Sequence, residues 1–196
     1  MGDLYLEKIV KRAPTARDSL LKILILVVTA VLCYGIMSLI YADPESPLAQ
    51  YAQLFLMLVV ALIIGAYYLA IQLNVEHEYI VTNGEIDIDR IIAKRRRKRL
   101  CTIPPLDVEI MAPYTDEYKH YYDKNGDFAH TFDTTSSKYS QNRWLIVAAT
   151  KKYGRVRVLF EPTDRMIEHM REYMPRKVHL PEGFVLPSQR EDDAEA

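Results

Sequence analysis

The fold of this chain is decided by two apolar stretches, ILILVVTAVLCYGIMSLIYA at 23–42 and LFLMLVVALIIGAYYLAI at 54–71. No residue between Lys22 and Asp43 is charged, and the region between Glu45 and Glu76 is also free of charge. Because a helix rises 1.5 Å per residue, about 20 apolar residues cross the hydrocarbon core of a bilayer. The stretches therefore predict a transmembrane hairpin, with helices over 20–42 and 51–75 and a short extracytoplasmic loop over 43–50.

The positive charges indicate how this hairpin is oriented. Residues 1–19 are basic, as is the later run 94–99, whereas the loop between the spans contains Asp43 and Glu45 but no lysine or arginine. Positively charged flanks stay on the cytoplasmic side. We therefore expect a multi-pass protein of the cytoplasmic membrane with both termini in the cytoplasm. The net charge of −1 argues against a dedicated nucleic-acid-binding protein.

The interior of the spans favours helix packing over transport. Neither stretch contains an ionisable side chain other than tyrosine, and a transport path normally needs one. Small residues allow close approach of two helix backbones. We expect Gly35, Ala61 and Gly65 to pack in the membrane, with Ala61 and Gly65 facing either the first helix or a second copy of the protein. The second alternative would make the protein a homo-oligomer through its spans.

The N-terminal segment has an amphipathic pattern. Leu6, Ile9 and Val10 lie along one side of a helix drawn over residues 3–12, and the basic residues take the other sides. This pattern predicts a short helix in the membrane interface before the first span. The alternative is a frayed, soluble segment that precedes the first span.

Residues 76–176 predict a compact soluble domain. Several segments show the alternation typical of half-buried strands, and Asn83 with Gly84 forms a strong hairpin signal. Thr163 is a candidate N-cap for an apolar-faced helix that Pro175 ends. We expect six or seven antiparallel strands closed by this helix, which is an α+β fold. The acidic residues 177–196 are expected to form a disordered tail.

These patterns resemble a known family. The motif Tyr79-x-Val81-Thr82-Asn83-Gly84 follows a membrane hairpin, and an Ile-x-Ile strand, a basic strand and a final helix come after it. Over residues 4–176 the chain resembles an uncharacterised family of small two-span bacterial membrane proteins with a PH-like cytoplasmic domain. The resemblance implies a bent, seven-stranded antiparallel sheet capped by the C-terminal helix, and an adaptor without catalytic residues. The stretch 114–143 is longer than that fold requires, so the strand count there stays open.

The basic run at 94–99 is the first candidate binding site. It consists of Lys94, Arg95, Arg96, Arg97, Lys98 and Arg99. Basic clusters near a membrane attract anionic lipids at about 1 kcal/mol per residue. The alternatives are a solvated face that only sets topology, or specific recognition of a lipid headgroup or of nucleic acid. So many charges in succession cannot all face solvent on one side of a strand, so we expect some to meet acidic partners or phosphates.

A tyrosine-rich segment is the second candidate, as a contact surface for a protein partner. Tyrosine gives a large contact area at low entropic cost. The candidate residues are Tyr114, Tyr118, Tyr121 and Tyr122, and the alternative is a solvent-exposed insertion. The spacing of acids around Gly126 does not fit a calcium loop, and His120 and His130 lack zinc-ligand spacing, so no metal site is expected.

No catalytic motif is present in the sequence. A Cys101 nucleophile with His77 or His120 as base is conceivable, but nothing in the sequence brings them together. We therefore expect a protein that is not an enzyme and uses no cofactor. The favoured interpretation is a membrane-anchored binding or scaffolding module. The alternatives are a sensor of anionic lipid surfaces through 94–99 and an accessory subunit of a larger membrane complex.

Overall fold

The computed structural model describes residues 5–41, 47, 49–118 and 128–190, and the chain divides into two compact units. One unit is Pro14–Val75. The other combines Met1–Ala13 with Glu76–Ala196, so the two flanks of the hairpin fold together.

The first unit is a pair of apolar helices. Helix α1 spans Ala16–Tyr41 and helix α2 spans Ala52–Gln72, preceded by a 3₁₀ turn at Ala49–Tyr51. Among the described residues, these two helices are long and apolar enough to cross a membrane. Their side chains are exposed almost all round, with Ile40 the buried residue of α1. Helices with apolar residues on every side fit a hydrocarbon solvent.

Helix α1 begins earlier than the hydropathy of the sequence predicts. Thr15 and Asp18 form a reciprocal cap: the Thr15 hydroxyl accepts a hydrogen bond from the Asp18 amide (3.3 Å), and the Asp18 carboxylate accepts one from the Thr15 amide (3.0 Å). Such a capping box satisfies amides that the first helical turn leaves unpaired. Charged residues 17–18 therefore belong to the helix although they do not belong to the apolar stretch.

The second unit begins with a four-stranded antiparallel sheet. Its strands are β1 (Tyr5–Lys11), β2 (Val75–Thr82), β3 (Glu85–Ile92) and β4 (Arg96–Ile103), hydrogen-bonded in the order β1-β2-β3-β4. Asn83 and Gly84 join β2 to β3 with positive φ angles of 51° and 78°. That geometry suits a two-residue hairpin turn, which confirms the turn predicted from the sequence.

The prediction of an amphipathic helix over residues 3–12 is wrong, because Tyr5–Lys11 forms strand β1. Leu6 pairs with Val81 and Val10 pairs with His77 of strand β2. A segment this short has little intrinsic helical stability, so an available strand partner determines its conformation. Alternation along β1 places Val10 in the core with 6% exposure, while Ile9 remains 48% exposed.

A comparison of these two neighbours tests the strand assignment. We expect Val10→Ser to lower the free energy of unfolding by about 2–3 kcal/mol, because it removes buried apolar surface. Ile9→Ser should cost about 0.5 kcal/mol, since its side chain is half in solvent. Urea unfolding followed by the fluorescence of Trp144, the one tryptophan of the chain, measures both. Equal losses of stability in the two variants would favour a helix over residues 3–12, because Ile9 and Val10 lie on the same side of such a helix.

A second sheet faces the first. Its strands are β5 (Val108–Pro113), β6 (His130–Asp133), β7 (Trp144–Thr150) and β8 (Gly154–Phe160), in the order β5-β7-β8-β6. Strand β6 lies parallel to β8, and the other pairs of this sheet are antiparallel. The described residues thus contain eight strands rather than the expected six or seven. The additional strands are β1 and β6, and β6 comes from the stretch whose strand count the sequence left open.

The core lies between the two sheets and under helix α3 (Asp164–Tyr173). Tyr79 of β2 packs edge-on against Phe160 of β8, with ring centroids 5.7 Å apart, and its hydroxyl donates to the Thr134 carbonyl at 2.6 Å. The hydroxyl oxygen of Thr163 accepts from the Met166 amide at 3.2 Å, which confirms the predicted N-cap. The predicted C-terminal helix therefore closes an α+β, PH-like fold.

The prediction of a disordered tail over 177–196 is wrong for residues 177–190, and 191–196 lie outside the described residues. Val178 forms a parallel bridge with Met111 of β5, and Phe184 packs edge-on against Trp144 at 6.3 Å. Burial of these apolar side chains offsets the entropy cost of ordering the segment. Because residues 177–196 are rich in proline and acidic residues, the sequence predicted disorder and did not indicate these contacts.

Candidate functional site

The basic run 94–99 forms part of the β3–β4 turn and the first half of strand β4. Ala93 and Lys94 adopt positive φ angles of 53° and 56°, and strand β4 begins at Arg96. This agrees with the expectation of an extended, charged segment. Because successive side chains of a strand point to opposite faces, Arg97 and Arg99 separate from Arg96 and Lys98.

Two members of the basic run form ion pairs with acidic residues of strands β2 and β3. An Arg97 guanidinium nitrogen lies 2.9 Å from a Glu78 carboxylate oxygen. Arg99 lies 2.6 Å from Asp87 and also pairs with Asp89. The expectation that some of these charges meet acidic partners is confirmed for Arg97 and Arg99, so these two residues stabilise the sheet.

Glu78 gives this face an unusual feature, because its side chain is fully buried. Burial raises the pKa of the Glu78 carboxyl, the nearby Glu7 side chain raises it further, and Arg97 opposes the shift. The Glu7 carboxylate also accepts a hydrogen bond from the Tyr5 hydroxyl at 3.0 Å. Strand β1 therefore contributes to the electrostatic environment of Glu78 as well as to the core.

Lys94, Arg96 and Lys98 differ from Arg97 and Arg99, since they form no ion pair with any residue in the described ranges. Arg96 and Lys98 are exposed on β4, and Lys94 is exposed in the turn. These three cations remain available for a phosphate or a carboxylate from another molecule. The basic run thus contains a structural pair, Arg97 and Arg99, and an available set, Lys94, Arg96 and Lys98.

A cleft of about 440 Å³ opens beside β4, and the sequence analysis did not find it. One wall is β4 from Arg99 to Thr102, and the opposite wall is the β7–β8 turn with Lys151 and Lys152. Leu106, which also lines the cleft, is 90% exposed. The two adjacent lysines in a turn after an apolar strand were visible in the sequence, but their position opposite the basic run depends on the folding of the two sheets.

The tyrosine-rich segment lies partly against its own domain. Tyr114 and Tyr118 are half-buried beside Leu145, Val147 and Leu159 on the outer side of the second sheet. The Arg143 guanidinium lies over the Tyr114 ring at 4.4 Å. Tyr121 and Tyr122 fall outside the described residues, so a partner contact there remains a prediction.

Ala61 and Gly65 lie away from the groove between α1 and α2, although other small residues line it. Ala66 is half-buried and helps to line the groove between α1 and α2, whereas Ala61 and Gly65 are exposed. A Cβ added at Gly65 or at Gly35 would meet no described atom within 4 Å. The alternative that Ala61 and Gly65 face the first helix is therefore wrong, and a contact with a second copy stays a prediction.

The candidate nucleophile is inaccessible. Cys101 is 2% exposed, and burial raises the pKa of its thiol to about 12. The side chain therefore stays protonated and packed at neutral pH, and His120 lies outside the described residues. No cluster of three metal-ligating side chains occurs in the part of the chain that the structure describes.

Comparison with known proteins agrees with this architecture. Residues 2–180 match a family described as a bacterial PH-like domain (DUF6106), so the match includes β1, both apolar helices and the domain that follows. No curated protein and no solved structure is significantly similar to the chain. The family match covers most of the sequence, and the chain belongs to the family of bacterial PH-like domains (DUF6106).

Proposed function

We propose that this protein is a membrane-anchored binding module that presents its PH-like domain to the cytoplasm through a two-span hairpin. The observation that carries the proposal is the pairing of β1 with β2, in which Lys11 lies opposite Glu76. Strand β1 precedes the first apolar helix and β2 follows the second. Since these strands share one sheet, both flanks of the hairpin belong on the same side of a membrane. The basic flanks assign that side to the cytoplasm.

Cysteine labelling in intact cells tests this topology. With Pro47→Cys, a membrane-impermeant maleimide should label the loop between the spans from outside. With Glu182→Cys, labelling should occur only after the cells are opened. Both positions are described, and residue 182 is exposed. Labelling of residue 182 from outside would overturn the proposal.

The binding role is tested by capture of a partner in mild detergent. We expect the full-length chain to retain a partner protein that the apolar hairpin alone, residues 14–75, does not retain. Mass spectrometry identifies what each form holds. The same partner on both forms would assign binding to the hairpin and contradict a binding role for the domain.

A second candidate function is contact with an anionic lipid surface, and the position of the β3–β4 turn favours it. Strands β1 and β2 run antiparallel, as do β3 and β4, so Lys11, Glu76 and the β3–β4 turn lie at one end of the first sheet. The chain leaves this end for the first apolar helix and returns here from the second. Lys94, Arg96 and Lys98 therefore lie near the end of the sheet at which the chain leaves for the apolar hairpin and returns from it, and clusters of such cations next to a membrane segment attract anionic headgroups.

Hydrogen exchange in nanodiscs tests the lipid contact. We expect residues 93–98 to exchange more slowly in phosphatidylglycerol nanodiscs than in phosphatidylcholine nanodiscs, and the difference to vanish at high salt. The variant Lys94→Glu, Arg96→Glu and Lys98→Glu should abolish the difference. The control is Lys138→Glu with Arg176→Glu, which reverses two exposed cations outside the run. Identical exchange in both lipids would exclude this function.

A further inference from the structure

We propose that the free edge of β4 binds an extended acidic segment of a partner protein, which adds to the first sheet as a further strand. This inference rests on the proposed role of the domain as a binding module and names the kind of partner. It assigns the cleft beside β4 as the place where the segment docks. Extended peptides commonly bind in this way, with main-chain hydrogen bonds for affinity and side-chain pockets for specificity.

The first observation is that β4 is an edge strand with one side open. It pairs with β3 on one side, and no described residue forms a backbone hydrogen bond with its other side. After Ile103 the chain turns through Pro104 and Pro105 and enters β5, which pairs with β7 in the second sheet. The open side of β4 therefore presents unpaired N–H and C=O groups, which are a template for another strand.

The second observation is the shape of the space next to this edge. The cleft of about 440 Å³ runs between β4 and the β7–β8 turn, and its lining includes Leu100, Leu106 and Tyr153. Leu106 is 90% exposed, although a leucine gains from burial. An apolar side chain of the added strand would contact these residues. The cleft therefore accounts for specificity beyond the main-chain pairing.

The charges around the edge determine which partner fits. Arg96 and Lys98 on β4 and Lys151 and Lys152 on the opposite wall are all exposed, and Asp107 is the acidic residue of the lining. A strand with acidic side chains complements this arrangement. A second copy of β4 does not, because like charges on adjacent strands repel. The basic residues that disfavour pairing of β4 with a second copy of β4 therefore also favour an acidic partner segment.

The test uses the purified full-length protein in detergent and the peptide acetyl-EVELEVE-amide. We expect saturable binding that weakens as salt increases, together with slower amide exchange over Arg96–Ile103. The variant Lys151→Glu with Lys152→Glu should lower the affinity about 10-fold or more, because it reverses the charge of one wall. Lys138→Glu with Arg176→Glu adds the same charge elsewhere and should bind normally.

N-methylation of the peptide separates strand addition from simple charge attraction. In an added strand, alternate amides face the protein, so methylating one alternate set should abolish binding and methylating the other should not. Equal tolerance of both sets, or unchanged binding by the Lys151→Glu and Lys152→Glu variant, would overturn the inference. Absence of peptide binding combined with slower exchange of β4 on anionic nanodiscs would overturn it in favour of a lipid surface.

The experiments distinguish failure of the β4 site from failure of the proposed binding function of the domain. If the wild-type chain and the Lys151→Glu and Lys152→Glu variant retain a cellular partner equally, the protein is still a binding module. That result would overturn the β4 site. Peptide binding with the expected properties would support the β4 site even if the capture experiment retained no cellular partner.

Discussion

Gly84→Ala should destabilise the PH-like domain by about 3 kcal/mol. Gly84 has a φ angle of +78°, where a side chain is strained. A Cβ at this position would also lie 2.6 Å from the Cβ and Cγ atoms of Tyr173, the last residue of α3. The β2–β3 turn and α3 cannot both keep their positions, so the substitution adds a packing conflict to the backbone strain. Urea unfolding followed by Trp144 fluorescence measures the loss.

Gly183→Ala is the matched control for the backbone strain alone. Gly183 has a similar φ angle of +74°, but an added Cβ would meet no described atom within 4 Å. We expect a loss of about 1 kcal/mol there. The double variant Gly84→Ala with Tyr173→Gly, which removes both the Cβ and the Cγ of residue 173, should recover the packing part of the loss when it is compared with Tyr173→Gly alone. Equal losses at Gly84 and Gly183 would contradict a tight contact between the turn and α3.

Acidification should destabilise the domain through His77. The pKa of His77 is lowered from 6.5 to about 4, first by burial and then by the positive charges of Arg90 and Arg12, against an opposite effect of Asp133. The folded state therefore disfavours the protonated ring. The stabilisation is present above pH 6.5 and is lost as the pH falls towards 4, by about 3 kcal/mol in total.

His77→Gln isolates this effect because glutamine does not titrate. We expect the stability of the wild type to fall by about 3 kcal/mol more than that of His77→Gln between pH 7 and pH 4. The control His179→Gln, at an exposed histidine, should keep the wild-type profile. Parallel profiles for wild type and His77→Gln would show that His77 is not buried as a neutral ring.

The comparison with His77→Gln is needed because Glu78 acts in the opposite direction. Its raised pKa means that the folded state favours the protonated carboxyl, so its contribution to stability is full below the ordinary value of 4.5 and is lost as the pH rises. His77 and Glu78 are adjacent on β2 and point to opposite faces of the sheet. The wild-type profile alone would therefore understate the effect of His77.

The candidate site shows how far the sequence could be interpreted. A continuous basic run at 94–99 is visible without a structure, and so is the acidic alternation of Asp87 and Asp89 on the preceding strand. The register that sets Asp89 opposite Arg99 includes a bulge after Ile88. A bulge changes which side chains share a face, so spacing alone could not show which alternate set, Arg97 with Arg99 or Arg96 with Lys98, meets the acidic residues.

The sequence by itself determined the two apolar helices, the Asn83–Gly84 turn and the amphipathic helix that follows Thr163, because each depends on hydropathy or turn chemistry within a few adjacent residues. The tertiary structure decided that Tyr5–Lys11 is a strand, that β6 lies parallel to β8, and that Val178 and Phe184 anchor the C-terminal segment. These features depend on partners far away in the chain. Local propensity is weak in such short segments, and burial against a distant partner determines their conformation.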